Sequence, residues 1–146
     1  MRLALEEAEK ALASGDVPVG AVIFNEQGQV VATGHNEREL HQDPTAHAEI
    51  VAIRRAANVI GQWRLENCTM AVTLEPCPMC AGAIAQSRIS TLVIGAWDQK
   101  AGAVGSMWDL LRDPRTLNKV EVRGGVLEDE CATLLKEFIQ EVRKKD

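Results

Sequence analysis

Apolar positions along the chain follow helical spacing in some segments and strand spacing in others. Over residues 5–12 they recur every three or four positions, and the Gly15 and Pro18 that follow predict the end of this helix. Over residues 131–142 they follow the offsets 0, 3, 4, 7, 8 and 11, which are those of one helical face. A short helix is therefore predicted near the start and a long amphipathic helix in the last part of the chain.

Five apolar segments have the length and the flanking turn residues of β-strands. They cover residues 19–24, 30–33, 69–74, 91–96 and 119–123. Turn residues between the first two predict an antiparallel hairpin, whereas a crossover connection between the last two predicts a parallel pair. Further helices are predicted over residues 46–58, 78–86 and 107–111, and a loop over residues 37–43.

This order of elements indicates an α/β protein, with a three-layer α/β/α fold and a five-stranded mixed sheet. A length of 146 residues suits one domain, so residues 1–146 are predicted to form a single domain. No segment approaches the roughly 20 apolar residues of a membrane span, and acids interrupt the first apolar positions, unlike in a secretory signal. The expected location is the cytoplasm, with no membrane role.

The formal net charge of −5 argues against binding nucleic acid by general attraction to phosphate, which needs clustered cations. Arginines and lysines are nevertheless grouped locally, at Arg54-Arg55, within residues 112–123 and over residues 143–145. Each group can be a solvated helix face or a local basic surface. A nucleic acid would therefore have to be held by a few placed side chains.

Two short motifs carry the candidate chemistry. His47-Ala48-Glu49 lies at the start of one predicted helix, and Cys77-Pro78-Met79-Cys80 at the start of another. Cysteines three positions apart at a helix start can direct both sulfurs to one ion, and the helix dipole there favours the thiolate form. With His47 they make three ligands, which leave a fourth tetrahedral position for water. His47, Cys77 and Cys80 are therefore the predicted ligands of a catalytic zinc ion.

Glu49 is the predicted general acid and base. Two thiolates and one neutral imidazole cancel the charge of zinc, so the bound water is acidified less than with three histidines and needs a local base. Helical positions two apart diverge by about 200°, so His47 and Glu49 cannot both ligate from one face. We expect His47 to reach the metal and Glu49 to carry protons at the open position.

Other interpretations of the cysteines are open at this stage. A structural zinc site would need a fourth ligand, which Cys68 or Cys131 could supply, and a Cys-x-x-Cys pair after a strand also occurs in redox proteins. Cys131 lies on the apolar face of the last predicted helix and Cys68 directly precedes a strand, so both are expected to be core residues. Trp97 is expected in a loop that faces the pocket.

The combination of His-x-Glu with Pro-Cys-x-x-Cys is the signature of zinc-dependent nucleobase deaminases. Over nearly its whole length the chain resembles bacterial tRNA-specific adenosine deaminases, which belong to the cytidine deaminase superfamily. Guanine deaminases share the zinc motifs, so the more selective resemblance lies elsewhere. It is carried by Cys80-Ala81-Gly82-Ala83, Ser87-Arg88-Ile89, and the segment from Gly95-Ala96-Trp97-Asp98-Gln99-Lys100 to Gly102-Ala103-Val104-Gly105-Ser106.

The resemblance implies a cytidine-deaminase-like fold, one Zn²⁺ per subunit, a homodimer, and a tRNA anticodon stem-loop as substrate. The implied reaction is hydrolytic deamination of adenosine to inosine at the wobble position. It also implies roles for five residues at the substrate. Asn36 would contact the target base, Asp98 and Lys100 the neighbouring nucleotide and backbone, and Asn118 would lie near the pocket and Phe138 at the RNA surface.

Three other functions stay open. A guanine deaminase, or another deaminase of free nucleobases or nucleotides, would need no RNA surface. A cytidine or deoxycytidylate deaminase shares the ligand pattern but would be expected to lack residues 98–106 in this form. A zinc-stabilised binding protein would bind the metal without catalysis.

Overall fold

The computed structural model describes all residues from Met1 to Asp146. In chain order its elements are α1 (Arg2–Glu9), a 3-10 helix (Lys10–Ser14), β1 (Gly20–Phe24), β2 (Val30–His35), α2 (Arg38–His41), α3 (Ala48–Ile60), β3 (Thr69–Leu74), α4 (Pro78–Gln86), β4 (Thr91–Ala96), β5 (Glu121–Arg123) and α5 (Glu128–Lys145). None of the helices combines the length and the apolar character that a membrane span requires.

The five strands form one mixed sheet in the order β2-β1-β3-β4-β5. Strand β1 is antiparallel to both β2 and β3, and β3, β4 and β5 are parallel to one another. The predicted β1–β2 hairpin and the predicted parallel β4–β5 pair are therefore confirmed. The carboxyl ends of β3 and β4 lie side by side, and the residues that follow them contribute to the candidate site.

Helices cover both faces of the sheet, which confirms the three-layer architecture. Helix α1 packs so closely on β1 that a Cβ atom at Gly20 would collide with the backbone of Ala4 and Ala8. On the opposite face, a Cβ atom at Gly34 of β2 would collide with the backbone of α3. A cluster of 20 buried apolar residues fills the core. Close backbone approach therefore fixes where α3, which carries part of the site, lies on the sheet.

The prediction of a helix over residues 107–111 is wrong, because no helix lies between β4 and β5. The N–H groups of Met107 and Trp108 both donate to the carbonyl of Gly102, and Leu110 N–H donates to Ala103, so the segment folds back onto the preceding loop. An isolated bridge joins Val104 to Asp109 in place of helical hydrogen bonds. Apolar side chains here are largely exposed, so no buried face stabilises a helix.

The loop predicted over residues 37–43 contains the single helical turn α2. Asp16, 23 residues earlier in the chain, supplies its cap: one carboxylate oxygen accepts Glu39 N–H at 2.8 Å, and the other accepts Leu40 N–H at 3.3 Å. A side chain that is distant in sequence thus stabilises a turn too short to be stable alone. Helix α3 begins at Ala48, two residues later than predicted, with His47 in the N-cap position.

Candidate metal centre and active site

Two helix N-termini meet at the candidate site. His47 precedes α3 and Cys77 precedes α4, and both have extended backbones in the N-cap position. Pro78 occupies the first turn of α4, where its missing N–H costs no hydrogen bond. Asn36, after β2, accepts Ala48 N–H on its side-chain oxygen at 2.8 Å and so fixes the start of α3. Local capping therefore places His47 opposite the two cysteines.

The three predicted ligands form a compact cluster. Nδ1 of His47 lies 3.6 Å from Sγ of Cys77 and 3.5 Å from Sγ of Cys80, and all three ligand atoms lie within 4.8 Å of one another. Bond lengths of about 2.3 Å to sulfur and about 2.0 Å to nitrogen separate the ligand atoms of tetrahedral zinc by roughly 3.5–3.8 Å. The two nitrogen–sulfur distances fit zinc with three protein ligands.

No fourth protein ligand belongs to the cluster. Cys68 and Cys131 are free, buried thiols outside it, as expected for core residues. Sγ of Cys131 packs at Gly95 of β4, where a Cβ atom would collide with it. The geometry thus favours an open, catalytic site over a closed structural one, and the cysteine pair adjoins a histidine that redox chemistry does not require.

The ligands perturb one another's protonation. A hydrogen bond from Cys80, followed by one from His47, lowers the pKa of Cys77 to about 4. The same contact with Cys77 is the main reason why the pKa of Cys80 is raised, and the hydrogen bond with Cys77 also raises the pKa of His47. The lowered pKa of Cys77 favours its thiolate, whereas Cys80 has to lose a proton when a metal binds. Zinc affinity should accordingly weaken in acid.

Glu49 lies in the first turn of α3 with only 4% of its surface exposed. Burial is the main reason why the pKa of its carboxyl group is raised. It lines the same cavity as His47 and Cys77, a space of about 170 Å³. A buried carboxyl group that has a raised pKa and lies beside a set of metal ligands can both accept and return a proton.

Asn36 and Asp98, two of the predicted substrate residues, line this cavity with Glu49. The side-chain amide of Asn36 donates to the carbonyl of Val17 at 3.0 Å while its oxygen caps α3, so its orientation is fixed. One carboxylate oxygen of Asp98 accepts the N–H groups of Lys100 and Ala101 and closes a turn at the rim. Both residues are thus held in place at the cavity wall.

Lys100, Asn118 and Phe138 do not line the cavity. Lys100 is exposed in the turn that Asp98 closes, and Asn118 is half-buried before β5. Phe138, on α5, lines a separate groove of about 530 Å³ with Leu12 and Val142. The expectation that Trp97 faces the cavity is wrong. Its ring packs against Gly124, where an added Cβ atom would collide with the ring. The substrate roles of the first three residues stay predictions.

Two charged residues that line the cavity, Glu75 and Arg38, were not predicted from the sequence. Glu75, buried directly before Pro76-Cys77, lines the cavity and holds the segment that contains Asp98. An acidic residue after an apolar strand and before a ligand is a signal that could have identified it. Arg38, in α2, lines the cavity and an adjoining cleft. Arg38 belongs to no recognisable motif. It lies at the cavity because the side chain of Asp16 accepts hydrogen bonds from α2 and holds this helical turn in place.

A three-layer α/β/α fold with a mixed sheet brings the His-x-Glu and Pro-Cys-x-x-Cys motifs to one cavity. This combination defines a zinc-dependent nucleobase deaminase. Residues 1–96 match the family described as the cytidine and deoxycytidylate deaminase zinc-binding region. A tRNA-specific adenosine deaminase of Bacillus subtilis (strain 168) is 48% identical over 145 residues, which cover 99% of this chain and 89% of that protein. The chain therefore belongs to the tRNA-specific adenosine deaminase family.

Solved structures resemble this one over most of the chain. One, from biochemical and structural studies of A-to-I editing by tRNA:A34 deaminases at the wobble position, has a TM-score of 0.88 and 44% identity, and the match covers 92% of this chain and 97% of that one. A guanine deaminase of Nitrosomonas europaea has a TM-score of 0.78 and 27% identity, with 94% and 81% covered. The cytidine-deaminase-like fold is confirmed, and the tRNA-deaminase structure has the higher identity of the two.

Proposed function

We propose that this protein converts adenosine to inosine at the wobble position of a tRNA anticodon. The observation that carries the proposal is the placement of a buried Glu49 beside the His47, Cys77 and Cys80 cluster, at a cavity of about 170 Å³. The family to which the chain belongs supports tRNA as the substrate. The deamination chemistry is inferred from the three predicted ligands and Glu49. The choice of substrate is inferred from the cavity and its rim.

His47, Cys77 and Cys80 would hold zinc, which when bound would supply Lewis acidity to the water that attacks C6 of adenine. Glu49 accepts a proton from the attacking water and delivers it to N1 of the ring. It then transfers a second proton from the attacking oxygen to the amino group, which leaves as ammonia and gives the 6-oxo base. Burial of Glu49 keeps solvent protons away from these transfers.

The cavity is smaller than the roughly 300–1,000 Å³ of pockets that enclose drug-sized ligands, so it suits a single base. The ribose and phosphates of the target nucleotide must then lie outside it. An unpaired adenosine in an anticodon loop can enter at small energetic cost, because it need not be extracted from a duplex. This geometry favours a single-stranded loop as substrate.

The rim of the cavity supports RNA binding through a few placed groups. Arg38 lines both the cavity and an adjoining cleft, and forms no ion pair. That cleft reaches Gly15, which also borders the groove that contains Phe138. The phosphates that flank the target nucleotide can therefore bind the unpaired guanidinium of Arg38, even though the net charge of the chain is −5. We assign Asn36 and Asp98 to the target base and its neighbour, and Lys100, Asn118 and Phe138 to the flanking RNA.

We further propose that residues 1–146 act as a single domain, in the cytoplasm, and as a homodimer. One sheet and one core cluster of 20 buried residues support the single domain. The dimer and the cytoplasmic location are suggested by the resemblance to tRNA deaminases. Sedimentation of the purified zinc protein would test the dimer, since a single species of monomer mass would contradict it.

The substrate assignment can be tested by incubating the zinc protein with an adenosine-bearing anticodon stem-loop and, separately, with adenosine, guanine and cytidine. We expect inosine in the stem-loop and little product from the free compounds, since only RNA engages the rim. Asp98→Ala and Asn36→Ala should weaken stem-loop turnover. The expected loss is about 10- to 100-fold for Asp98→Ala, which removes a charged acceptor, and about tenfold or less for Asn36→Ala, which removes a neutral group.

Asp146→Asn, at the exposed last residue of the chain, is the matched control for these variants. Zinc content should be the same in the unchanged protein, Asp98→Ala and Asp146→Asn, which separates substrate binding from metal loss. Asn36→Ala also removes the cap of α3 beside His47, so its turnover is compared per bound zinc. Efficient deamination of guanine, with stem-loop turnover unaffected by Asp98→Ala and Asn36→Ala, would instead assign the chain to guanine deamination.

A further inference from the structure

We infer that Glu75 is a positioning residue for substrate binding, because its carboxylate holds residues 98–106 as a fixed wall of the cavity. The inference rests on the proposed function and assigns no proton transfer or metal ligation to Glu75. It explains how a loop without regular secondary structure presents Asp98 at a constant position.

Glu75 has 2% of its surface exposed and lies between β3 and the ligand Cys77. One oxygen, Oε1, accepts Asp98 N–H at 3.0 Å and the hydroxyl of Ser106. The other, Oε2, accepts Val104 N–H at 2.9 Å and Ser106 N–H at 3.0 Å. Four donors from both ends of one loop therefore converge on a single buried carboxylate.

Two further contacts show that this arrangement is built closely. A Cβ atom at Gly102 would collide with the carboxylate of Glu75 and with the carbonyl of Asp98, so the loop wraps the carboxylate at a distance that only glycine permits. Ala103 N–H donates to the carbonyl of Pro76 at 2.8 Å. The segment that carries Cys77 and the segment that carries Asp98 are thus tied together by backbone and side chain.

The two oxygens have different partners, and this allows a selective test. In Glu75→Gln, the amide nitrogen would face two backbone N–H groups at the Oε2 position but only one at the Oε1 position. The nitrogen should therefore take the Oε1 position, where the hydroxyl of Ser106 can rotate to accept from it. Only Asp98 N–H then loses its acceptor. Ser106→Ala removes a different contact of Oε1 and leaves the Asp98 bond intact.

We expect Glu75→Gln to raise KM for the anticodon stem-loop by roughly tenfold, the effect of one lost hydrogen bond to a charged group, with kcat and zinc content unchanged. Ser106→Ala should raise KM less. In hydrogen exchange of the zinc-loaded proteins, the peptide that contains Asp98 should exchange faster in Glu75→Gln than in Ser106→Ala or the unchanged protein.

Several results would overturn the inference. They are equal KM values for Glu75→Gln and the unchanged protein, a fall in kcat with KM constant, or loss of zinc from the Gln variant. If the unchanged protein does not act on the stem-loop, the proposed function fails, and the exchange experiment still decides on Glu75. Should Glu75→Gln not fold, Gly102→Ala displaces the same carboxylate from the loop side, and the same shift in exchange is required of it.

Discussion

Glu49 lines one cavity with His47 and Cys77, but it contributes different chemistry from the three predicted zinc ligands His47, Cys77 and Cys80. Nδ1 of His47 has the spacing of tetrahedral zinc ligands from both sulfurs, whereas the carboxyl group of Glu49 is buried and has a raised pKa. Removing a ligand should therefore remove the metal. Removing the acidity of Glu49 should leave the metal and stop proton transfer.

Glu49→Gln should retain one zinc per chain and lose turnover by at least the roughly 10²–10⁴-fold typical of a general acid or base, since one residue serves several transfers. Cys77→Ala and His47→Ala should lose zinc as well as turnover. Metal analysis of the purified variants, beside stem-loop kinetics, checks both statements. Near-normal turnover in the Gln variant would remove Glu49 from the mechanism.

The residues predicted from the sequence alone are those whose chemistry is encoded by close spacing. His47 with Glu49, and Cys77 with Cys80, form local motifs, so their convergence could be predicted without a structure. Glu75 could not be assigned in this way, because its four donors lie 23–31 residues further along the chain. Its function depends on the register of the parallel β3–β4 pair, which no local pattern specifies.

Among the secondary structure elements, α2 depends most on a distant residue. Burial alone would raise the pKa of Asp16, but hydrogen bonds from the hydroxyl of Ser14 and from the N–H groups of α2 outweigh it and leave this pKa below its usual range. Asp16 therefore stabilises α2 in its charged form. Through α2 it also holds Arg38 at the cavity rim.

Asp16→Asn should lower the free energy of unfolding by about 0.5–1 kcal/mol at pH 7, because the amide keeps only one of the two acceptor oxygens, and removal of a whole cap costs about 0.5–2 kcal/mol. Because the folded pKa is lowered, this contribution is complete above the unfolded pKa of about 3.9 and is lost as the pH falls through the folded value. The difference between the two proteins should therefore shrink below pH about 4, as measured by denaturant unfolding. A difference independent of pH would contradict the assignment, and Asp146→Asn is the control.

Most strands and long helices could be predicted because their apolar periodicity reflects one buried face. The exception over residues 107–111 shows the limit of such patterns. Its apolar residues are more than a third exposed, with one exception, and its backbone donors are used by the Gly102 and Ala103 carbonyls. Apolar composition alone therefore indicated a helix that tertiary hydrogen bonds exclude.

For the whole molecule, the three predicted zinc ligands bridge two helices, α3 and α4, that also contact each other directly. His47 precedes α3, which packs on β1 and β2, and Cys77 and Cys80 belong to the start of α4, which follows β3. Zinc bound to the folded protein and not to the unfolded chain stabilises by mass action. Its removal should loosen the contact between α3 and α4.

Chelation of zinc should lower the melting temperature, and added zinc should restore it. Cys77→Ala should show neither change, because its site is incomplete, whereas Glu49→Gln should show both. Thermal unfolding of the three proteins with and without chelator is the measurement. An unchanged melting temperature in the original protein would show that the cluster contributes no stability through metal.

The proposed function of this cavity is the deamination of one unpaired adenosine of a tRNA. The most direct measurement compares an anticodon stem-loop carrying adenosine at the wobble position with the same RNA in which that adenosine is moved into the paired stem. Inosine should form in the first RNA and not in the second, and not with Glu49→Gln. Equal conversion of both RNAs, or no conversion of the first by the zinc-loaded protein, would contradict the claim.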